Sequence, residues 1–335
     1  MSETLVHVTR GDLVESLHHG DIAVVNELGE LLYSVGNPER VSYIRSAAKP
    51  AQALPIVESG AADHYRLSDR ELAVICASHN AETIHTETVL GILRKIGLSE
   101  TALQCGVHAP YDAETHEQLI LAGRKPSPVH SNCSGKHSGM LTLAQHMGWP
   151  VEGYFRPEHP VQQAAKAAVA AMADYPEDKI VIGTDGCGVP VFGLPVRNMA
   201  VIFAQLAKPV RQPEIRQEAC RRIVRAMTGE PQMVAGRNRF NTDLLRAARG
   251  KIVAKSGAEG VFCVGIVGAG IGIAVKVDDG SSRPHPVVVT TILKQLGYLD
   301  ADAERELAKY LQPEVRNHRG EVVGRIAPAF TLRRH

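Results

Sequence analysis

Hydrophobic and polar positions follow a short, strand-like period near both ends of the chain and a helical one in its middle. Over residues 4–35, β-prone runs such as Leu5-Val6, Ile22 to Val25 and Leu31-Leu32-Tyr33 are divided by turn residues at Arg10-Gly11-Asp12, His19-Gly20-Asp21 and Leu28-Gly29. Turns at such short intervals predict an antiparallel meander. From Ser46, the residues Ala47, Ala48, Ala51, Ala53, Leu54, Ile56 and Val57 predict a mostly apolar, buried helix that Gly60 ends. Pro50 falls in its opening turn, where proline is tolerated. Ser68-Asp69-Arg70-Glu71 is a capping box that opens the next element, and a further helix is expected to run through Leu98. Residues 101–160, rich in His and Pro and including HSNCSGKHSG at 130–139, read as loop. Helices are expected at 161–173, about 197–207 and 213–227, with a short buried strand at Ile180 to Ile182.

After residue 240 the strand pattern returns. Ile252-Val253-Ala254, Val261 to Ile266 and Ile271 to Val277 read as strands, 286–297 and 300–311 as helices, and 313–328 as a hairpin around Arg319-Gly320. Strands from both ends joining one sheet, with helices from about 46–228 packed on it, predict a mixed α/β fold with a largely antiparallel sheet. Without a linker, repeat or low-complexity stretch, residues 1–335 read as a single unit, with strands at about 4–35 and 250–280.

Charge and composition narrow the function. A net charge of +1 over 335 residues leaves no basic stripe for phosphates, which argues against nucleic-acid and membrane-surface partners. No apolar run approaches a membrane span. The N-terminus lacks the basic and apolar segments of a signal peptide, so the six cysteines, scattered without disulfide-like spacing, are expected to be reduced and the protein cytoplasmic.

Three short motifs carry candidate chemistry. Ser46-x-x-Lys49 puts a hydroxyl and an amine on one helical face, and a neutral lysine can take a serine proton without a histidine. Ser78-His79-Asn80 and Lys255-Ser256-Gly257 follow it in order. The set resembles the S-x-x-K, S-D-N and K-T-G motifs of serine β-lactamases and penicillin-binding proteins, with His79 in place of aspartate and Ser256 in place of threonine. Glycine-rich GIVGAGIGIAV (265–275) lacks the spacing of a dinucleotide site and reads as a tightly packed strand pair. Cys133 and Cys187 lie in glycine-flanked polar stretches, where a thiol suits metal binding or catalysis.

RSAAKPAQALP, CASHNAE, SNCSGKHSGML, TDGCGVP and KSGAEGVF together resemble the Rhizobium etli-type L-asparaginases, from Arg10 to about Ile326. The resemblance implies a serine β-lactamase-like fold, a homodimer, and hydrolysis of the amino-acid amide L-asparagine to L-aspartate and ammonia. It implies two Ser-Lys pairs, Ser46 with Lys49 and Ser78 with Lys255, and a zinc held by Cys133, Lys136 and Cys187 in a structural or substrate-positioning role. His137, Asp185 and Asn80 fall where substrate-binding residues lie. Asn241 stands where aspartate is expected. On this reading Ser46 attacks the side-chain amide with a neutral Lys49 as base, Ser78 and Lys255 relay the proton to the leaving group or orient the substrate, and the Ser46 N–H stabilises the oxyanion. The alternatives are a β-lactamase or penicillin-binding-type serine hydrolase, and a zinc- or amino-acid-binding protein without turnover.

Overall fold

The computed structural model describes residues 1–335. Its strands are β1 (Glu3–Arg10), β2 (Leu13–Val25), β3 (Leu31–Val35), β4 (Val41–Tyr43), β5 (Val181–Thr184) and β6 (Pro190–Pro195). β7 (Ile252–Gly257), β8 (Val261–Ile266), β9 (Ile271–Val277), β10 (Glu314–Arg316), β11 (Val322–Pro328) and β12 (Arg333–Arg334) follow. Contacts divide the chain into two compact units, one of Met1–Ala47, Leu194–Lys208 and Asp243–His335, the other of Ala48–Gly193 and Pro209–Thr242.

The first unit is built on an antiparallel sheet in the order β10-β11-β1-β2-β9-β8-β7, with β3 also on β2 and β12 on β3. Both chain ends contribute, as the strand periods predict. Long β2 is exposed over its first residues and buried from Asp21 to Val25, because only its second half lies between β9 and β3. The glycine-rich run is the β8–β9 pair: Gly265 faces Gly272 across the ladder. The buried helix Val196–Ala207 lies directly on that pair. A Cβ at Gly272 would sit 1.9 Å from the Ala200 carbonyl oxygen, and one at Gly265 2.3 Å from that of Phe203. These glycines let a helix backbone approach a sheet, so the close-packing expectation holds and no phosphate loop is present there.

The second unit is helical apart from the β5–β6 hairpin. At its centre lies the helix Ser134–Met147, whose residues Ser134 to Ala144 are all buried. It packs against the helices Asp69–Ile75, Thr83–Lys95 and Pro160–Ala173. This is the main departure from expectation, since 130–139 reads as loop. Glycine and serine are poor helix formers in isolation, yet Gly135 and Gly139 recur at i and i+4 on the face that meets Val74 and Ile75. Tertiary packing overrides propensity there. A helix at Ala113–Leu121 also lies in the stretch expected to be loop.

Other expectations hold with corrections. The capping box forms, with Ser68 and Glu71 bonded reciprocally at the start of Asp69–Ile75. The continuous helix expected from Ser46 is three pieces: a 3-10 turn at Arg45–Ala48, then Lys49–Gln52 and Leu54–Glu58. Pro55 has no N–H to carry the ladder across the break. The strand expected to be buried at Ile180 starts at Val181 and is exposed at Val181, Ile182 and Thr184, as an outer hairpin strand can be. No helix is long and apolar enough to cross a membrane.

Gly135 gives a direct test of the central packing. A Cβ there would sit 2.0 Å from the Val74 carbonyl oxygen. Alanine would gain about 1 kcal/mol of helix propensity, but a backbone carbonyl cannot swing aside as a side chain can, and overpacking costs about 1–3 kcal/mol. Gly135→Ala is expected to lower the melting temperature in calorimetry.

Candidate active site

Lys49 and Ser78 meet in the second unit. Lys49 begins the helix Lys49–Gln52 and is fully buried. Its Nζ donates to the Ala77 carbonyl oxygen at 2.5 Å and to Ser78 Oγ at 3.1 Å. Ala77 follows the helix Asp69–Ile75, where carbonyls lack an intrahelical partner, so the helix end supplies an acceptor that aims the amine. The Ser78 N–H is occupied, donating to the Val234 carbonyl at 3.0 Å.

His79 anchors this loop. Its Nδ1 accepts the Ala81 N–H at 3.1 Å, which leaves the ring proton on Nε2, 2.9 Å from Ser134 Oγ. Ser134 in turn donates to the Val129 carbonyl at 2.8 Å. Ala81 has φ +67, a left-handed value uncommon outside glycine, held here by the imidazole. Burial, with the ring of His85 stacked at 5.0 Å, keeps His79 well below the ordinary histidine range and therefore neutral. The residue that departs from the S-D-N pattern thus ties the Ser78 loop to the first turn of Ser134–Met147.

That first turn also carries the thiol cluster. Cys133 caps the helix Ser134–Met147, Lys136 lies in its first turn, and Asp185 and Cys187 come from the β5–β6 turn. Ligand atoms of Cys133, Asp185 and Cys187 lie within 4.8 Å of one another. Lys136 Nζ is 3.1 Å from Cys187 Sγ and 3.8 Å from Asp185 Oδ2, and Cys187 Sγ is 3.7 Å from that carboxylate oxygen. The Cys133 S–H donates to Cys187, which with Lys136 pulls the Cys187 thiol down to about 5; the same bond and burial push Cys133 up to about 12. Burial opposes a charged Lys136, but the adjoining Cys187, Cys133 and Asp185 outweigh it and hold the amine protonated. Two sulfurs, an amine and a carboxylate converging in a buried site are a donor set that fits zinc, provided Cys133 and Lys136 give up their protons to it.

His137, the next residue on the helix, is fully buried, with Nδ1 2.6 Å from the Tyr154 hydroxyl. Burial and the neighbouring Lys136 hold its pKa at about 3, so the ring is neutral.

Asn80 is buried on the other side of Ser78 in sequence. Its Nδ2 donates to the Arg237 carbonyl at 3.1 Å, and its Oδ1 accepts from Arg239 at 3.3 Å. Gly236, at φ +113, brings this loop so close that a Cβ would meet Glu82 and Asn80 at 2.5–2.6 Å. Arg237 pairs with Glu82, Asp112 and Glu114. Asn80, Tyr111, Asp112, Arg237 and Arg239 line a cleft of about 400 Å³. Asn241 is buried in the first turn of Phe240–Ala248.

Ser46 and Lys255 belong to the first unit. Ser46 is half-buried and follows Arg45, whose φ of +53 is left-handed. Lys255 is fully buried on β7, its amine donating to the Ser256 carbonyl at 2.7 Å. Gly257 joins the two segments: a Cβ there would sit 2.8 Å from the Ile44 carbonyl oxygen. The glycine of Lys-Ser-Gly therefore admits the turn that carries Ser46.

The structure thus brings Lys49 to Ser78, gathers Cys133, Lys136, Asp185 and Cys187, and sets the Ser46 turn on the end of β7. Sequence reasoning passed over Tyr154, Ser134, Glu82, Asp112 and Arg237. Ser134 and Glu82 lie inside motifs already picked out. Tyr154 and Arg237 act across long sequence separations and left no local signal.

The chain belongs to the L-asparaginase II family, whose model matches residues 6–328. No curated protein matches the chain. Among solved structures it is similar to Mglu in its native form, at 17% identity over 85% of this chain and 66% of that one, with a TM-score of 0.48. It is also similar to a putative beta-lactamase from Bacteroides dorei, at 13% identity over 83% of this chain and 93% of that one, TM-score 0.43. For a beta-lactamase from Mycobacterium bovis the values are 14%, 84%, 95% and 0.42. The chain spans 66% of the length of Mglu.

His79→Phe keeps a planar aromatic ring, slightly larger than the imidazole, but removes the donor to Ser134 and the acceptor for Ala81. Stability is expected to fall by about 1–3 kcal/mol in denaturant unfolding. His79→Gln, which can still donate, is expected to lose less.

Proposed function

We propose that the protein hydrolyses L-asparagine to L-aspartate and ammonia with a lysine-activated serine. The observation that carries this reading is the buried 3.1 Å contact of Lys49 Nζ with Ser78 Oγ in a chain of the L-asparaginase II family. Ser78 Oγ bonds to the side-chain amide carbon while its proton passes to Lys49. The C–N bond then breaks, and the nitrogen takes a proton and leaves as ammonia. Water, deprotonated in the same way, attacks the resulting ester and releases aspartate. Asp185 accepts from the substrate ammonium; His137 and Asn80 donate to its oxygens.

Cys133, Lys136 and Cys187 hold zinc in this reading. When bound, the ion supplies fixed positive charge and Lewis acidity beside the substrate. The chain works as a homodimer, which sedimentation would check.

Ammonia release from asparagine is the primary assay; none from asparagine or glutamine at millimolar concentration sinks the proposal. Lys49→Met is expected to lower kcat about 10²–10⁴-fold, the usual span for a positioned base, with the circular-dichroism spectrum unchanged. Mass spectrometry of a trapped acyl-enzyme is expected to find the adduct on Ser78. An adduct on Ser46 would move the nucleophilic role there.

Zinc content is tested separately. One ion per chain is expected from protein grown with zinc, and less than a tenth of that in Cys187→Ala. Unaltered zinc in the variant would rule out the ligand assignment.

A further inference from the structure

Tyr154 is fully buried, and every polar partner of its hydroxyl is accounted for. The Gln104 N–H donates to it at 3.0 Å, and His137 Nδ1 lies 2.6 Å away. Because Gln104 is a donor, the phenolic proton has one acceptor within reach, Nδ1 of His137. The opposite assignment, with Nδ1–H donating to the tyrosine, would leave a buried O–H unpaired, which folded proteins avoid. Burial raises the Tyr154 pKa and so keeps this proton on the oxygen.

If Nδ1 accepts, the single ring proton of a neutral imidazole must be on Nε2. Nε2 of His137 is buried and has no hydrogen-bond partner. A donor N–H is therefore held ready, in a ring whose electrostatic neighbours are Lys136, Cys133, Lys49 and Asp185. No protein acceptor takes this N–H, so the oxygen that meets it is one that a bound ligand brings.

We propose that Tyr154 is a positioning residue. Its hydroxyl fixes His137 as the Nε2–H tautomer and so presents a buried donor to an oxygen of the amide substrate. The substrate half of this inference rests on the amidohydrolase reading; the tautomer half does not. It also separates His137 from the metal donors beside it, because an Nε2 that carries a proton has no lone pair for an ion.

The test uses zinc-loaded, full-length protein labelled with 15N at histidine, the His137 signal being assigned by its loss in His137→Gln. An Nε2–H tautomer is expected in the wild type and a mixture of tautomers in Tyr154→Phe. The phenylalanine ring preserves the 5.4 Å edge-on packing against His137, so folding and zinc content are expected to be retained. With asparagine, kcat/KM of Tyr154→Phe is expected to fall about 10–100-fold, below the roughly 10²–10³-fold effect of deleting an oxyanion donor outright. An Nδ1–H tautomer in the wild type would overturn the proposal and make His137 a metal-ligand candidate. A folded Tyr154→Phe with wild-type kcat/KM would also overturn it. A wild type that turns over no amide fails the functional reading and the substrate half with it, while the tautomer measurement still decides the role of Tyr154.

Discussion

The arrangement of the second unit depends on one close approach between backbones. Gly135 lets the helix Ser134–Met147 lie directly on the Val74 carbonyl, and Gly139 one turn later admits Ile75 and Ile56. A side chain at either position would separate the helices by roughly its own width. Cys133, Lys136 and His137 lie on the first turn of one helix, while Ala77 and Ser78 directly follow the other. The glycine contact therefore sets the distance between the Lys49–Ser78 pair and the thiol cluster. The His79–Ser134 bond then pins the loop to the helix at the same end. Precision at the site is inherited from packing rather than from the motifs themselves.

Buried amines are costly unless something compensates for lost hydration, and the two in this unit are treated differently. Lys136 adjoins a thiolate and a carboxylate, so its charge is matched. Lys49 has a carbonyl and a hydroxyl, both uncharged, as its hydrogen-bond partners. An amine matched to anions is a fixed charge, whereas one facing a hydroxyl is placed to exchange a proton with it. The same residue type is thus equipped for two tasks.

The sheet was legible because its strands carry short periods and turn residues that act locally, and Gly265 and Gly272 were rightly read as close packing. The helix Ser134–Met147 was not legible. Its glycines and serines argue against a helix in isolation, and their purpose appears only when Val74 and Ile75 are in place. The same limit applied to the site. Ser46, Lys49, Ser78 and Lys255 could be picked out by spacing, but the meeting of Lys49 with Ser78 depends on where the Asp69–Ile75 helix ends. Glu82 and Ser134 stood inside the chosen motifs without a visible role. Arg237 and Tyr154 act through contacts over a hundred and roughly twenty residues away, which no local pattern encodes.

The neutral histidines complete this logic. A protonated His137 would add positive charge beside the Lys136 ammonium, and burial holds both His79 and His137 neutral. Each ring has one nitrogen accepting a hydrogen bond, from Ala81 or Tyr154, so each has a defined donor on the other. For His79 that donor is spent on Ser134, and the residue is structural. For His137 no protein atom receives it. Two imidazoles of the same charge state differ in function because one has an internal acceptor and the other is left to meet a ligand.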